Sequence, residues 1–190
     1  MRLLRVLRIA ATTVAAVATG TINRAMGRGE SHPVQLNAGD PAPDFALPGS
    51  DGRGYRLSEL RGDAVVIAWF PKAFTQGCTI ECKSLAENGD RIRKFDVAYF
   101  MASVDPLEGP QGNKAFAASE KADFPMLSDE SKAVATSYGV LNARGLTNRW
   151  TFYIDKTGKI AYIEKQVKPA TSAEDMIAKL TELKVPMTHH

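Results

Sequence analysis

Cys78 is the residue of this chain best suited to nucleophilic chemistry. It follows an apolar run, residues 64–70, whose β-branched and aromatic side chains predict a buried strand that ends at Pro71. The residues after Pro71 predict a turn and a helix start, with Cys78 in the first helical turn. Unpaired backbone N–H groups and the positive end of the helix dipole favour a thiolate there, and the thiolate is the reactive form. The sequence therefore predicts an activated sulfur at the carboxyl end of a strand, where α/β folds bind ligands.

Three neighbours of Cys78 predict a small pocket around the sulfur. Thr75 is expected to cap the helix by accepting a hydrogen bond from the N–H of Cys78, which would bring its hydroxyl close to the thiol. Gly77 leaves room for a small substrate to approach, and Pro71 ends the strand and shields the sulfur from bulk water. Pro71 and Gly77 are therefore the candidate substrate-binding residues.

The elements around this pocket alternate along the chain. Strands are predicted at residues 55–57, 64–70, 97–103 and 124–129 and in a hairpin that follows Arg149, and helices at residues 75–94, 113–121, 131–138 and 172–183. Strands that alternate with helices imply an α/β fold with a central sheet covered on both faces.

The pocket residues resemble a known active-site loop. The pattern P-x-x-x-T-x-x-C of the peroxiredoxins is matched at Pro71, Thr75 and Cys78, and Glu81 matches a further residue that is common in that family. Residues 39–47 are also similar to the opening of peroxiredoxins.

A second motif strengthens the resemblance. Residues 149–155 resemble the R-x-[ST]-F-x-[IV]-D strand that carries the family's active-site arginine, here Arg149. The similarity runs from about residue 36 to about residue 183 and is closest to the bacterioferritin-comigratory, or PrxQ, branch. It implies a thioredoxin-like fold with a central mixed β-sheet, in a domain spanning residues 36–186.

The resemblance implies a thiol-dependent peroxidase. Cys78 would attack hydrogen peroxide or an organic hydroperoxide and become a sulfenic acid, while Arg149 stabilises the charge that develops on the leaving oxygen. Cys82, the only other cysteine, would condense with it to a disulfide, which thioredoxin or a similar dithiol would reduce. No metal, flavin or haem is implied. A disulfide within one helix needs no partner subunit, so we expect a monomer.

The cysteine spacing departs from the PrxQ pattern, in which the two cysteines are commonly five residues apart. Cys78 and Cys82 are four apart. Residues four apart on a helix have Cβ atoms about 5–6 Å apart, whereas a disulfide needs about 3.5–4.5 Å. The implied disulfide therefore predicts that the helix unwinds around residues 77–83 when the bond closes.

Other interpretations of the two cysteines remain open. Cys82 continues an apolar helix stripe and could be a buried structural residue. The C-x-x-x-C pair also resembles the Sco-type copper chaperones, which would make the domain a metal-binding or thiol–disulfide exchange module. Those chaperones use a distal histidine, whereas the histidines here, His32, His189 and His190, lie outside the expected core.

The charge of the chain is concentrated at its N-terminus. Residues 1–32 contain five arginines and one glutamate, a net charge of +4, whereas the whole chain carries +3. The remainder is therefore slightly acidic and does not suggest nucleic-acid binding. Residues 1–35 are predicted to be a leader and linker, either a signal peptide or an amphipathic helix. We expect export to the periplasm or membrane association through residues 1–24, with a cytoplasmic location as the alternative.

Overall fold

The computed structural model describes residues 34–188, and a five-stranded mixed sheet forms the centre of this region. Its strands are β3 (Ala64–Trp69), β4 (Val97–Ser103), β5 (Met126–Ser128), β6 (Trp150–Ile154) and β7 (Ile160–Glu164), in the order β5-β4-β3-β6-β7. Strands β3, β4 and β5 run parallel, whereas β6 and β7 are antiparallel additions on the other side of β3. A separate two-stranded sheet pairs β1 (Ala46–Pro48) with β2 (Gly54–Arg56).

Five helices are described along with these strands. They are α1 (Gln76–Glu87), α2 (Gly89–Ile92), α3 (Asn113–Ser119), α4 (Ala133–Ser137) and α5 (Ser172–Glu182). Strand β3 alternates between two apolar clusters, because successive side chains of a strand point to opposite faces. Val66 and Ala68 join the cluster that contains α1, α3 and α5, and Ile67 joins the cluster that contains α4. Both faces of the sheet are thus covered, which confirms the predicted fold class.

The helix that carries Cys78 is shorter than predicted. The sequence pattern predicts one helix over residues 75–94, but α1 ends at Glu87 and the chain bends at Asn88, with φ −112° and ψ 11°. The Asn88 side-chain amide donates to the carbonyl oxygen of Ser84 at 3.0 Å. Asparagine side chains compete in this way with the helical backbone, and the chain resumes as the short helix α2.

The predicted leader, residues 1–35, lies almost entirely outside the described residues. Within residues 34–188, no helix combines the length and the apolar character needed to cross a bilayer.

Candidate active site

Cys78 lies in the first turn of α1, as predicted, directly after the loop that leaves β3. The residue has no exposed surface and belongs to the apolar cluster on the α1 face of the sheet. The strand and the helix are both dictated locally, by the apolar run of β3 and by the break at Pro71. The nucleophile candidate is therefore held on rigid elements at the carboxyl end of the central strand.

Arg149 reaches Cys78 across the sheet. It immediately precedes β6, which pairs antiparallel with β3 so that Trp150 stands opposite Trp69. The Arg149 Nη2 lies 3.2 Å from the Cys78 Sγ, and the arginine side chain is only 18% exposed. A guanidinium this close to the sulfur, and largely shielded from solvent, stabilises negative charge on the sulfur. Its fixed N–H groups can also stabilise the charge that develops on an attacked peroxide.

Glu81 forms an ion pair with the second terminal nitrogen of the Arg149 guanidinium. Its carboxylate pairs with the Arg149 Nη1 and is completely buried, one turn after Cys78 on α1. Burial raises the pKa of Glu81 to about 7, even though the Arg149 charge acts in the opposite direction. Because Glu81 engages Nη1, Nη2 remains directed at the sulfur, and the three side chains form one buried group.

Gly77 lets the guanidinium approach the helix closely. A Cβ at this position would stand 3.1 Å from the Arg149 Nη2, which is tighter than an ordinary contact. The space beside Gly77 that was predicted to admit a substrate is therefore occupied by the arginine, and a larger residue here would push the cation away from the sulfur.

The predicted cap by Thr75 is wrong. Thr75 is the N-cap residue of α1 by position, but its side chain makes no capping hydrogen bond. Its hydroxyl instead donates to the carbonyl oxygen of Lys72 at 2.8 Å, within the loop that leads from Pro71 to the helix. This hydrogen bond to a carbonyl three residues earlier closes the loop. It uses the hydroxyl proton of Thr75, so the lone pairs of the hydroxyl oxygen remain free to accept a hydrogen bond.

Two buried residues that no sequence motif marked anchor this loop. The Asp105 carboxylate accepts hydrogen bonds from the Ala73 N–H at 2.8 Å and from the Ser103 hydroxyl at 3.0 Å. The buried Thr147 hydroxyl donates to the carbonyl oxygen of Phe70 at 2.5 Å. Asp105 follows β4, whose carboxyl end meets that of β3, so its position after a parallel strand was a usable signal. Thr147 carried no such signal.

Cys82 is buried one turn beyond Cys78 in the same cluster. Burial raises its pKa to about 12, and the nearby carboxylates of Glu120 and Glu81 act in the same direction. Both cysteines are free thiols in this structure. Cys82 is therefore held in its protonated, unreactive form for as long as α1 stays intact.

The possible metal ligands of this site, Cys78, Glu81 and Cys82, are not arranged as a metal centre. In the described part of the chain, no group of three or more histidine, cysteine, aspartate or glutamate side chains is arranged to hold a metal ion.

Known proteins share both the sequence and the fold of this chain. The AhpC/TSA family matches residues 38–163. The peroxiredoxin Bcp of Escherichia coli K12 is 32% identical over 154 residues, which cover 77% of this chain and 97% of the relative. The chloroplastic peroxiredoxin Q of Oryza sativa subsp. japonica is 30% identical over 157 residues, covering 82% of this chain and 71% of the relative.

A solved structure supports the same assignment. The peroxidoxin BcpB of Mycobacterium tuberculosis superposes with a TM-score of 0.69 at 30% identity, covering 78% of this chain and 99% of that one. These similarities confirm the resemblance that the motifs at Pro71–Cys78 and Arg149 indicated, including its Bcp and PrxQ branch.

Proposed function

The chain belongs to the AhpC/TSA family of peroxiredoxins and is a thiol-dependent peroxidase, and on this premise we propose that Cys78 is the residue that reduces the peroxide. The observation that carries the proposal is the 3.2 Å approach of the Arg149 Nη2 to the Cys78 Sγ. Among the described residues, only Cys78 and Cys82 are thiols, and the charged groups that act on Cys82 are carboxylates, which with burial raise its pKa to about 12.

The first step exchanges an O–O bond for an S–O bond. The Cys78 thiolate attacks one oxygen of hydrogen peroxide or an organic hydroperoxide, and the other oxygen leaves as hydroxide or alkoxide and takes up a proton. Cys78 becomes a sulfenic acid and is oxidised by two electrons, and the peroxide is reduced to water or an alcohol. Arg149 stabilises the charge on the leaving oxygen because its donors are already fixed by Glu81.

The loop residues complete the proposed peroxide pocket. Thr75 has committed its hydroxyl proton to the Lys72 carbonyl, so its oxygen can accept a hydrogen bond from the O–H of the incoming peroxide. We assign to Pro71, which is half-buried just after β3, the role of shielding the sulfur from bulk water. Gly77 keeps the backbone close enough for Arg149 to face the substrate.

The second step forms a disulfide between Cys78 and Cys82. The Cys82 sulfur attacks the Cys78 sulfenic acid, the S–O bond breaks, and water leaves with the thiol proton. Both residues are fully buried on an intact helix, where the Cβ separation of about 5–6 Å is too long for a disulfide. The first turns of α1 must therefore unwind, and this also exposes Cys82 to water and makes its thiolate accessible.

Reduction of the disulfide returns the enzyme to its starting state. Peroxiredoxins use thiol reductants, and we assign this role to thioredoxin or a similar dithiol protein, because a dithiol can both attack and resolve the mixed disulfide. The cycle runs within one helix, so a monomer suffices for it.

A coupled assay tests the proposal. The protein is mixed with hydrogen peroxide, thioredoxin, thioredoxin reductase and NADPH, and NADPH consumption is followed for the wild type and for Cys78→Ser. We expect turnover by the wild type and none by the variant. Peroxide-dependent turnover that survives Cys78→Ser would remove Cys78 from the mechanism.

A further inference from the structure

Two large apolar side chains stand exposed on either side of Cys78. Phe74 is 38% exposed and Ile80 is 40% exposed. Of the large hydrophobic side chains in residues 34–188, only two others are as exposed, Val34 and Met187. Neither Phe74 nor Ile80 has a part in the reduction of peroxide described above.

The exposure of Phe74 is built into the loop. Phe74 has a φ of +62°, a left-handed conformation that is unfavourable for a residue with a side chain and that clusters at functional sites. Its ring packs against Phe116 with centroids 5.1 Å apart, and the loop on its N-terminal side is tied to Asp105. The fold thus holds an aromatic ring at the surface, four residues before the nucleophile.

Ile80 lies where a reducing protein has to approach. It stands between Cys78 and Cys82 on the outer side of α1, whereas both cysteines and Glu81 face the core. When the Cys78–Cys82 disulfide closes, Ile80 becomes part of the loop that the disulfide spans. A thiolate from another protein can reach these sulfurs only by making contact with this loop.

Exposed lysines outnumber exposed carboxylates around this surface. Residues 71–87 carry two exposed lysines, Lys72 and Lys83, and one exposed carboxylate, Glu87, because Glu81 is buried and paired with Arg149. Lys72 lies 3.5 Å from Asp105, but the lysine is 52% exposed and the aspartate only 5%. Lys83 lies 3.8 Å from Glu120, but the lysine is 58% exposed and the glutamate only 12%. A partner with an apolar centre and an acidic rim complements this face.

We propose that the surface formed by Phe74, Ile80, Lys72 and Lys83 is the docking site of the reducing dithiol protein. This assignment rests on the proposed Cys78–Cys82 disulfide and adds the site where its reductant binds. One thiolate of the partner attacks a sulfur of the disulfide, the S–S bond breaks, and a mixed disulfide forms. The second partner thiol then displaces the mixed disulfide, so that Cys78 and Cys82 return to thiols and the partner leaves oxidised.

The test separates docking from chemistry by comparing two reductants. The wild type, Ile80→Glu and the control Met187→Glu, which changes a side chain 50% exposed at the far end of the chain, are oxidised with one equivalent of hydrogen peroxide. The rates of reduction by a bacterial thioredoxin and by dithiothreitol are then measured. We expect Ile80→Glu to slow the reaction with thioredoxin at least tenfold and to leave the oxidation step and the dithiothreitol rate unchanged, because a small dithiol needs no docking surface.

A second variant tests the charge. Lys83→Glu is expected to slow the reaction with thioredoxin several-fold at low salt and to weaken its salt dependence, again without an effect on dithiothreitol. Met187→Glu should match the wild type in every measurement.

Four outcomes would overturn the docking site. The first two are a rate of reduction by thioredoxin that is unchanged in Ile80→Glu, and a rate that falls equally with thioredoxin and with dithiothreitol. The third is a wild-type dimer that Ile80→Glu converts to monomers in sedimentation. The fourth is an oxidised protein that holds a Cys78 sulfenic acid beside a free Cys82 thiol. The last outcome also removes the proposed disulfide, but it leaves the reaction of Cys78 with peroxide intact, so the two failures are distinguishable.

Discussion

Trp150 pairs with Trp69 across the antiparallel strands β6 and β3, and this register brings Arg149 to the end of β3 beside Cys78. A shift of one residue would turn every side chain of β6 to the opposite face of the sheet. The 3.2 Å approach of guanidinium to sulfur thus depends on the pairing of two strands that are far apart in sequence.

The guanidinium should be needed for the reaction with peroxide. Arg149→Met removes the charge and both donors, and we expect the rate of Cys78 oxidation to fall about 10²–10³-fold, the usual effect of removing a donor to a developing oxyanion. Arg149→Lys should recover only part of the rate, because an ammonium cannot engage Glu81 and the sulfur as a planar fork does. Stopped-flow measurement of thiol loss in a single turnover checks this, with the exposed Arg144→Lys as the matched control.

Glu81 should orient Arg149. Glu81→Gln keeps the size of the side chain but removes the charge that holds Nη1, so we expect single-turnover oxidation of Cys78 to slow about tenfold. Glu59→Gln, on a glutamate side chain that is 72% exposed, is the control and should be silent. If Glu81→Gln reacts at the wild-type rate, the arginine does not need this carboxylate.

The same variant should change how stability depends on pH. The pKa of Glu81 is raised by burial from about 4.5 to about 7, so the folded state binds its proton more tightly than the unfolded state does. The wild type should therefore lose stability relative to Glu81→Gln as the pH rises from about 4.5 to about 7, by up to about 3 kcal/mol. Urea unfolding of both proteins across this range measures the difference, and a difference that is independent of pH would contradict the raised pKa.

Cys82 should be required for turnover but not for the first step. We expect Cys82→Ser to consume one equivalent of peroxide at nearly the wild-type rate and to stop as a sulfenic acid on Cys78 that thioredoxin does not recycle. Trapping with dimedone and mass spectrometry identifies the product. Continued thioredoxin-dependent turnover by this variant would show that Cys82 does not resolve the sulfenic acid.

Closure of the disulfide should unwind the start of α1. The two cysteines are both buried on an intact helix, so the bond cannot form without a local rearrangement. We expect faster amide hydrogen exchange around residues 77–83 in the oxidised protein than in the reduced one, with the exchange of β3 and β4 unchanged. Equal protection of residues 77–83 in both states would exclude the rearrangement.

Asp105 should hold the loop that precedes Cys78. Asp105→Ala leaves the Ala73 N–H without its acceptor in a buried place, and we expect about 1–3 kcal/mol lower stability and slower oxidation of Cys78. Asp105→Asn can still offer an oxygen to Ala73 and should recover most of both losses. Thermal unfolding and single-turnover rates measure the two effects, with the exposed Asp63→Ala as the control.

The sequence by itself determined the local elements of this protein. The apolar run of β3, the break at Pro71 and the helix start that carries Cys78 are encoded by neighbouring residues, and the predicted strand 97–103 coincides with β4. Predictions of local structure failed where a side chain could form a hydrogen bond with either of two nearby backbone groups. Thr75 bonds the Lys72 carbonyl in place of a helix N–H, and Asn88 bonds the Ser84 carbonyl and interrupts the predicted helix.

The tertiary structure alone decided how these elements meet. The motifs placed Arg149 at the head of a strand, but only the register of β6 on β3 sets its distance to Cys78, and only packing buries Glu81 against it. Asp105 and Thr147 are distant in sequence from the loop that they anchor. Such contacts depend on how whole strands and helices pack against one another. Short-range sequence patterns do not encode this packing.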